Sequence, residues 1–371
     1  MPLRDILSDG FQRHVRVPAK TVSRLPMKFM IEPTNFCNLK CPICYTHAHG
    51  EGEVSMTLAQ FTHIADQLPP GADVSFYNWG EPFLNPEMIP MIREGARRGL
   101  RISIHSNLNI DPALIPEIVE SGLFSLSASI DGTTQESYEK FRRKGSFRMA
   151  WDNLSELARI NAEHGFPLAE LGWQFIVNRY NEHEVERARE LCASLPGKVV
   201  FTAKTMGLRR EKVEWDQFDE DTFGQLKAQW LPRAPQYLRR SHQKPMGADG
   251  LIADSRCEWL WDSMVINVNG RVTPCCHTYK PEHAFGDLGT HSLEEIWNST
   301  PYVTSREQFL DTAFSGCNTV CARCPNYVRM DVPTLPARLF SFLKWLLTRS
   351  SARLHRRPSG RGAEPVRIRN I

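Results

Sequence analysis

No stretch of this chain approaches the roughly 20 consecutive apolar residues that a bilayer-spanning helix needs. Residues 1–20 carry charges throughout and lack the apolar run of a signal peptide, which argues against export. Acidic side chains are nearly missing from the C-terminal stretch. From Arg338 to Ile371 there are nine Lys and Arg against one acid, Glu364. The chain has 45 Lys and Arg and 42 Asp and Glu, so 36 face 41 before that stretch. The net charge of +3 therefore belongs to the tail, and the body offers a poor electrostatic footprint for nucleic acid.

What is present is ordinary for a soluble globular chain: 371 residues, 41% hydrophobic and 23% charged. Such a length supports about two domains. Ten cysteines in a chain without an export signal point to metal clusters or thiol chemistry before disulfides.

Residues 28–206 alternate strand and helix patterns, as in an α/β parallel sheet. Strands are expected at Lys28–Glu32, Asp73–Tyr77, Arg101–His105, Phe124–Ile130, Leu171–Val177 and Lys198–Thr205. Helices are expected at Thr57–Leu68, Pro86–Arg98, Pro112–Ser121, Phe147–His164 and Glu182–Leu195. Thr57, Asp111 and Asn181 suit N-caps, and Gly99, Gly122 and Gly165 sit where helices would stop.

Cys37, Cys41 and Cys44 follow the first strand with C-x3-C-x2-C spacing. Three thiolates on one tight loop suit a cubane iron–sulfur cluster, each holding one iron and leaving the fourth open to chemistry. Zinc, with His47 or His49 as fourth ligand, is the alternative on coordination grounds. An odd trio offers no obvious disulfide pairing.

The spacing and its place after the first strand resemble the signature of the radical S-adenosylmethionine (SAM) superfamily. The resemblance implies that the open iron chelates the methionyl amino and carboxylate groups of SAM. The reduced cluster would then break the sulfonium bond, and a 5'-deoxyadenosyl radical would abstract a hydrogen atom from substrate. It also implies a partial (β/α)6 barrel with chemistry at the strand C-termini.

Other segments extend the resemblance. Asn78-Trp79-Gly80-Glu81-Pro82 is similar to the family's Gly-Gly-Glu-Pro motif, with Trp79 replacing the first glycine, and implies that Gly80 and Glu81 hold the SAM amino group. Ser106 and Asn107 end the third strand where family members place polar groups near the SAM carboxylate. Ser127-Ala128-Ser129-Ile130-Asp131-Gly132 resembles the Ser-Leu-Asp-Gly ribose motif. Side-chain alternation puts Ser129 and Asp131 on one side of an extended chain. Tyr138–Arg142, continued by Gly145-Ser146-Phe147, matches a segment whose arginine reaches the SAM carboxylate. A guanidinium suits that bidentate partner; Arg142 is the matching residue and Arg143 its competitor.

A second cysteine set starts at Cys257. Val265–Val272 alternates like two short strands about an Asn-Gly turn and leads to Cys275, and Cys317-x3-Cys321-x2-Cys324 follows. Gly286-Asp287-Leu288 and Ser292–Asn298 look like the middle of a SPASM or twitch domain, so a small cysteine-rich α+β unit is expected after the barrel. The resemblance to the twitch form implies that Cys257, Cys275, Cys321 and Cys324 ligate one auxiliary four-iron cluster. A structural zinc knot with the same ligands is the alternative. Cys276 and Cys317 remain as candidate catalytic thiols, and Cys192 reads as helix packing.

The expected divisions are an N-terminal extension (1–27), the barrel (28–208), a polar linker covering its mouth (209–256), the auxiliary domain (257–330) and a basic tail (331–371). Within the tail, Leu335–Leu354 suits an interfacial helix on an anionic surface, or one docked on the barrel. Two clusters imply oxidation of an alcohol carbon in a small polyol, sugar or sugar-linked metabolite, as in twitch-bearing aminocyclitol dehydrogenases. A radical epimerase using Cys276 or Cys317 as hydrogen donor is one rival. A peptide-modifying maturase is another, although about 27 residues before the first strand are too few for a winged-helix leader-binding module. Glu258, Asp262 and Lys204 lie near the relevant loops as candidate bases. A flavodoxin or ferredoxin as electron donor and a cytoplasmic location, with peripheral contact at the inner membrane through the tail, complete the expectations.

Overall fold

The computed structural model describes residues 19–44, 52–206, 220–238, 257–278, 280–311 and 314–324. His47, His49, most of the linker and the helix expected over Leu335–Leu354 lie outside the described residues. Among those described, no helix is long and apolar enough to cross a membrane.

Each expected strand forms, with ends shifted by a residue at most: β1 (Lys28–Ile31), β2 (Asp73–Phe76), β3 (Arg101–Ser106), β4 (Ser125–Ser129), β5 (Glu170–Val177) and β6 (Val199–Thr205). All six pair in parallel, in chain order. The connections carry α1 (Leu58–Ala65), α2 (Met88–Arg97), α3 (Ile115–Glu120), α4 (Gln135–Phe141), α5 (Phe147–Glu163) and α6 (Val185–Ala193). The fold is a partial (β/α)6 barrel.

Local chemistry sets the helix ends. Thr57 caps α1 in a reciprocal box with Gln60. Gly99, Gly122 and Gly165 follow α2, α3 and α5 at φ of 75°, 86° and 74°, a left-handed conformation that glycine adopts without a Cβ penalty. Asn181, expected as an N-cap, makes no capping bond. Its side chain instead accepts from Asn178 N and donates to the Asp131 and Ile176 carbonyls. Those bonds fix the loop beyond β4, which competes with capping for the same amide.

Strand alternation separates two faces. The outward residues pack on helices: the Phe61 and Phe76 rings meet at 5.1 Å and those of Trp151 and Trp173 at 5.4 Å. The inward positions are polar and half-buried, among them Ser75, Tyr77, Ser103, His105 and Ser127.

The expected hairpin forms as β7 (Ser263–Ile266) and β8 (Arg271–Thr273), turning through Gly270 at φ 82°. β7 also pairs in parallel with β1, Lys28 opposite Ser263, so one nine-stranded sheet runs β6-β5-β4-β3-β2-β1-β7-β8-β9, ending at β9 (Gly286–Asp287). The auxiliary region is thus welded to the barrel edge. Residues 19–24 fasten the far side: Ala19 and Arg24 carbonyls accept from the Trp261 and Trp297 indoles, and Val22 bonds Asn298 in both directions.

Candidate active site

The C-terminal rim of the barrel gathers the first set of predicted residues. The loop after β1 carries Cys37, Cys41 and Cys44, all half-buried. Beside it, Gly80 lies so close to the Thr34–Phe36 backbone that any Cβ would overlap carbonyl atoms. That approach lets Glu81 N donate to Phe36 O at 2.8 Å. Glu81 is 2% exposed and accepts from Ser106 Oγ and Asn107 N, each at 2.7 Å. Burial pushes its carboxyl up to about 7, against the pull of those donors. Ends of three strands thus converge on one carboxylate.

The end of β4 supplies the next layer. Ser129 and Asp131 are both buried. Asp131 accepts from Arg142 Nε at 2.6 Å and from Ile176 N at 2.6 Å. Burial is the largest influence on that carboxyl and raises its pKa, with the Arg142 cation opposing. Arg142 Nη1 also points at Cys41 Sγ, 4.0 Å away. Of the two competing arginines, only Arg142 is brought to this layer; Arg143 contributes its backbone carbonyl, which accepts from Lys40 N.

The second cysteine set collects at the opposite end. Cys257 precedes α8 (Trp259–Asp262) and the start of β7, and Cys275 follows the descending strand β8. Cys275 feels Cys276, Cys321 and Cys324 electrostatically, and Cys321 feels Cys257, Cys324 and Cys317, so all six cysteines of this region share one neighbourhood. Burial pushes Cys257 up to about 12 and Cys275 and Cys321 well above the ordinary thiol range. Cys317 is buried beside Cys321, its sulfur 3.2 Å from Thr319 Oγ1. Cys276 lies within electrostatic range of Tyr77, a lumen residue.

A cavity of about 360 Å³ lies at the N-terminal ends of the strands, lined by Lys28, Met30, Asp73, Ser75, Tyr77 and Trp259 among others. Tyr77 stacks on His105 with ring centroids 4.3 Å apart. Burial, with Lys204 and Arg142 nearby, lowers the imidazole to about 3, so it is neutral at physiological pH. Of the candidate bases, Lys204 on β6 is therefore the one placed near the lumen histidine. Sequence reasoning passed over Tyr77, His105 and Gln174, because single polar residues at alternate strand positions look like any half-exposed face. The run of polar side chains at the inward positions of β2, β3 and β4 was the available signal.

Residues 31–192 match the family model described as the radical SAM superfamily, and residues 257–325 match that of SPASM, an iron–sulfur cluster-binding domain. The chain therefore carries a radical SAM domain followed by a SPASM domain. One relative, the antilisterial bacteriocin subtilosin biosynthesis protein AlbA of Bacillus subtilis (strain 168), is 24% identical over 291 residues. That match covers 74% of this chain but 60% of AlbA, less than two thirds of its length. PqqA peptide cyclase of Gluconobacter oxydans (strain 621H) is 26% identical over 296 residues, 76% of this chain and 79% of that protein. The crystal structure of Streptococcus suis SuiB bound to S-adenosylmethionine has the same fold, with a TM-score of 0.57 at 12% identity, covering 88% of this chain and 80% of SuiB.

As a radical SAM protein with a SPASM domain, the chain takes a SAM-binding four-iron cluster, SAM and an auxiliary four-iron cluster. The rim fits the first of these. Leu39 N, Asn107 Nδ2 and Arg142 Nη1 all point at cysteine sulfur, at 3.5, 3.8 and 4.0 Å. Donors aimed at sulfur suit thiolates carrying negative charge. Burial, with Glu81 and the neighbouring cysteines adding to it, pushes Cys37 up to about 12, and a bound cation reverses that by deprotonating its ligands outright.

Proposed function

We propose that this radical SAM enzyme abstracts a hydrogen atom from a hydroxyl-bearing carbon of a small polyol, sugar or sugar-linked metabolite and oxidises it to a carbonyl. The observation that carries this reading is the set of half-buried polar side chains on the inner strand face, Ser75, Tyr77, Ser103, His105 and Ser127, with the cysteine loop beyond the end of β1 and the second cysteine set reached through β7 and β8. When bound, the rim cluster and SAM would supply one-electron cleavage and hydrogen abstraction, and the auxiliary cluster an acceptor for the second electron, while the hydroxyl proton leaves to a base.

The chain's own residues have defined tasks in this reading. Cys37, Cys41 and Cys44 hold the rim cluster, and Cys257, Cys275, Cys321 and Cys324 the auxiliary one. Glu81, presented by Gly80, receives the SAM ammonium, and Ser106 and Asn107 orient that carboxylate. Arg142, braced by Asp131, supplies a fixed cation for the SAM carboxylate, and Ser129 lines the ribose side.

Two rival outcomes have support of their own. The place of Cys276 near Tyr77 favours a thiol hydrogen donor and hence epimerisation, with buried Cys317 the second candidate. Similarity to a relative named PqqA peptide cyclase favours a peptide substrate. Supplying deuterated candidate metabolites and peptides to the anaerobic, reduced enzyme separates the readings. Oxidation predicts label in 5'-deoxyadenosine and a carbonyl product from a hydroxylated metabolite. Label transfer from peptides alone contradicts it, and solvent hydrogen entering an inverted stereocentre establishes the epimerase.

A further inference from the structure

We propose that His105 and Gln174, two lumen residues outside every motif described above, bind hydroxyl groups of the substrate. The inference deepens the proposed function and rests on its placing of substrate in the barrel lumen.

Both residues are held on rigid strands with polar atoms left open. His105 occupies an inward position of β3, directly before Ser106 of the rim layer. Its ring plane is fixed by the stack on Tyr77, at 4.3 Å and 28°, and Tyr77 itself lines the cavity. No described residue hydrogen-bonds the imidazole nitrogens of His105. A neutral imidazole donates at one nitrogen and accepts at the other, which is the pairing a hydroxyl offers in reverse.

Gln174 stands on β5 between Trp173 and Phe175. Trp173 packs outward against Trp151, so alternation turns Gln174 toward the lumen. The residue is 6% exposed, and its Oε1 is buried with no hydrogen-bond partner. Its register neighbours, Ser129 and Thr202, place it level with the proposed ribose side of the SAM site. A buried acceptor without a donor is destabilising unless something else supplies one. A ligand in the lumen does so.

The donor's chemistry follows from the surrounding charge. Burial first, and then the nearby Lys204 and Arg142, disfavour a cation at His105. An ammonium-bearing group is repelled for the same reason, whereas a neutral hydroxyl is not.

Binding tests the inference without turnover. Anaerobically reconstituted wild type, His105→Phe and Gln174→Leu are titrated with SAM, then with myo-inositol, UDP-glucose, glucosamine and a glycine- and serine-rich peptide. A neutral hydroxylated probe should bind wild type, and each variant should weaken it about tenfold or more, while SAM affinity stays within about twofold. A wild-type urea midpoint shows that a variant is folded; if Gln174→Leu fails that check, the milder Gln174→Met is read in its place, and a folded Gln174 variant that loses SAM affinity overturns the assignment of Gln174 to substrate. Equal probe binding in the variants, preference for glucosamine or the peptide, or no binding by any hydroxylated probe overturns the inference. Failure of wild type to bind SAM would strike the rim assignment instead, a separable result.

Discussion

A methyl group at Gly80 has no room, and Gly80→Ala is the sharpest steric test of the rim. The added carbon would lie 2.7 Å from Phe36 O and 2.8 Å from Thr34 C, and nearer still to Thr34 O. Carbon–oxygen contacts ordinarily settle at about 3.3–3.6 Å, so the backbone of 34–36 must retreat by at least about half an ångström. That retreat strains the bond from Glu81 N to Phe36 O (2.8 Å) and the turn in which Phe36 N donates to Thr34 Oγ1 (3.2 Å). Overpacking costs about 1–3 kcal/mol and an unmet buried hydrogen bond about 1–3 more, so Gly80→Ala should lose about 2–6 kcal/mol in urea unfolding. Displacement of Glu81 should also weaken SAM at least about tenfold, measured anaerobically by calorimetry. Gly71 is the control: its φ of 74° is strained for alanine, yet nothing lies within 4 Å of the added carbon. Gly71→Ala should cost only about 1–2 kcal/mol and leave SAM affinity alone. A Gly80→Ala protein within about 0.5 kcal/mol of wild type, with unchanged SAM affinity, refutes the reasoning.

Three further outcomes are expected. Arg142→Ala strands the fully buried Asp131 and should cost about 3–5 kcal/mol, whereas Arg143→Ala should fall within about 0.5 kcal/mol; equal urea midpoints for the two variants contradict the pairing. Glu81 holds its proton up to about pH 7 in the fold but ionises near its ordinary value of 4.5 when unfolded. The folded SAM-free protein therefore carries the extra proton between those values, and Glu81 makes stability fall as pH rises across them, by about 3 kcal/mol in all. Glu81→Gln should flatten that slope, and a wild-type-minus-variant difference independent of pH contradicts the assignment. Cys257→Ala should lower bound iron from about eight to about four atoms per chain while SAM cleavage persists; unchanged iron removes Cys257 from the ligand set.

The barrel was legible because each strand is bounded by caps and glycines that act locally. Thr57 and Gly99 do in the fold what their types suggest. The rim was legible for a different reason: Cys37, Gly80, Glu81, Asp131 and Arg142 lie in short motifs whose spacing survives in one dimension. Asn181 misled, because an amide that can cap a helix can equally bridge to Asp131, and only tertiary placement decides. α7 (Glu220–Trp230) was hidden within a stretch that reads as polar linker. Its anchor is Trp230, whose ring meets Phe141 at 5.6 Å and Tyr180 at 5.4 Å, contacts that no local pattern encodes. The pairing of β7 with β1 was likewise illegible, since it joins residues more than 200 positions apart. That pairing ties the second cysteine set to the barrel edge through β7 and β8.

The central claim is most directly tested by metal analysis and electron paramagnetic resonance on anaerobically purified, dithionite-reduced protein, before and after adding SAM. About eight irons per chain, with a reduced four-iron signal that SAM perturbs and that Cys41→Ala abolishes, is the predicted result. Zinc in place of iron, or a cluster signal that ignores SAM, would contradict it.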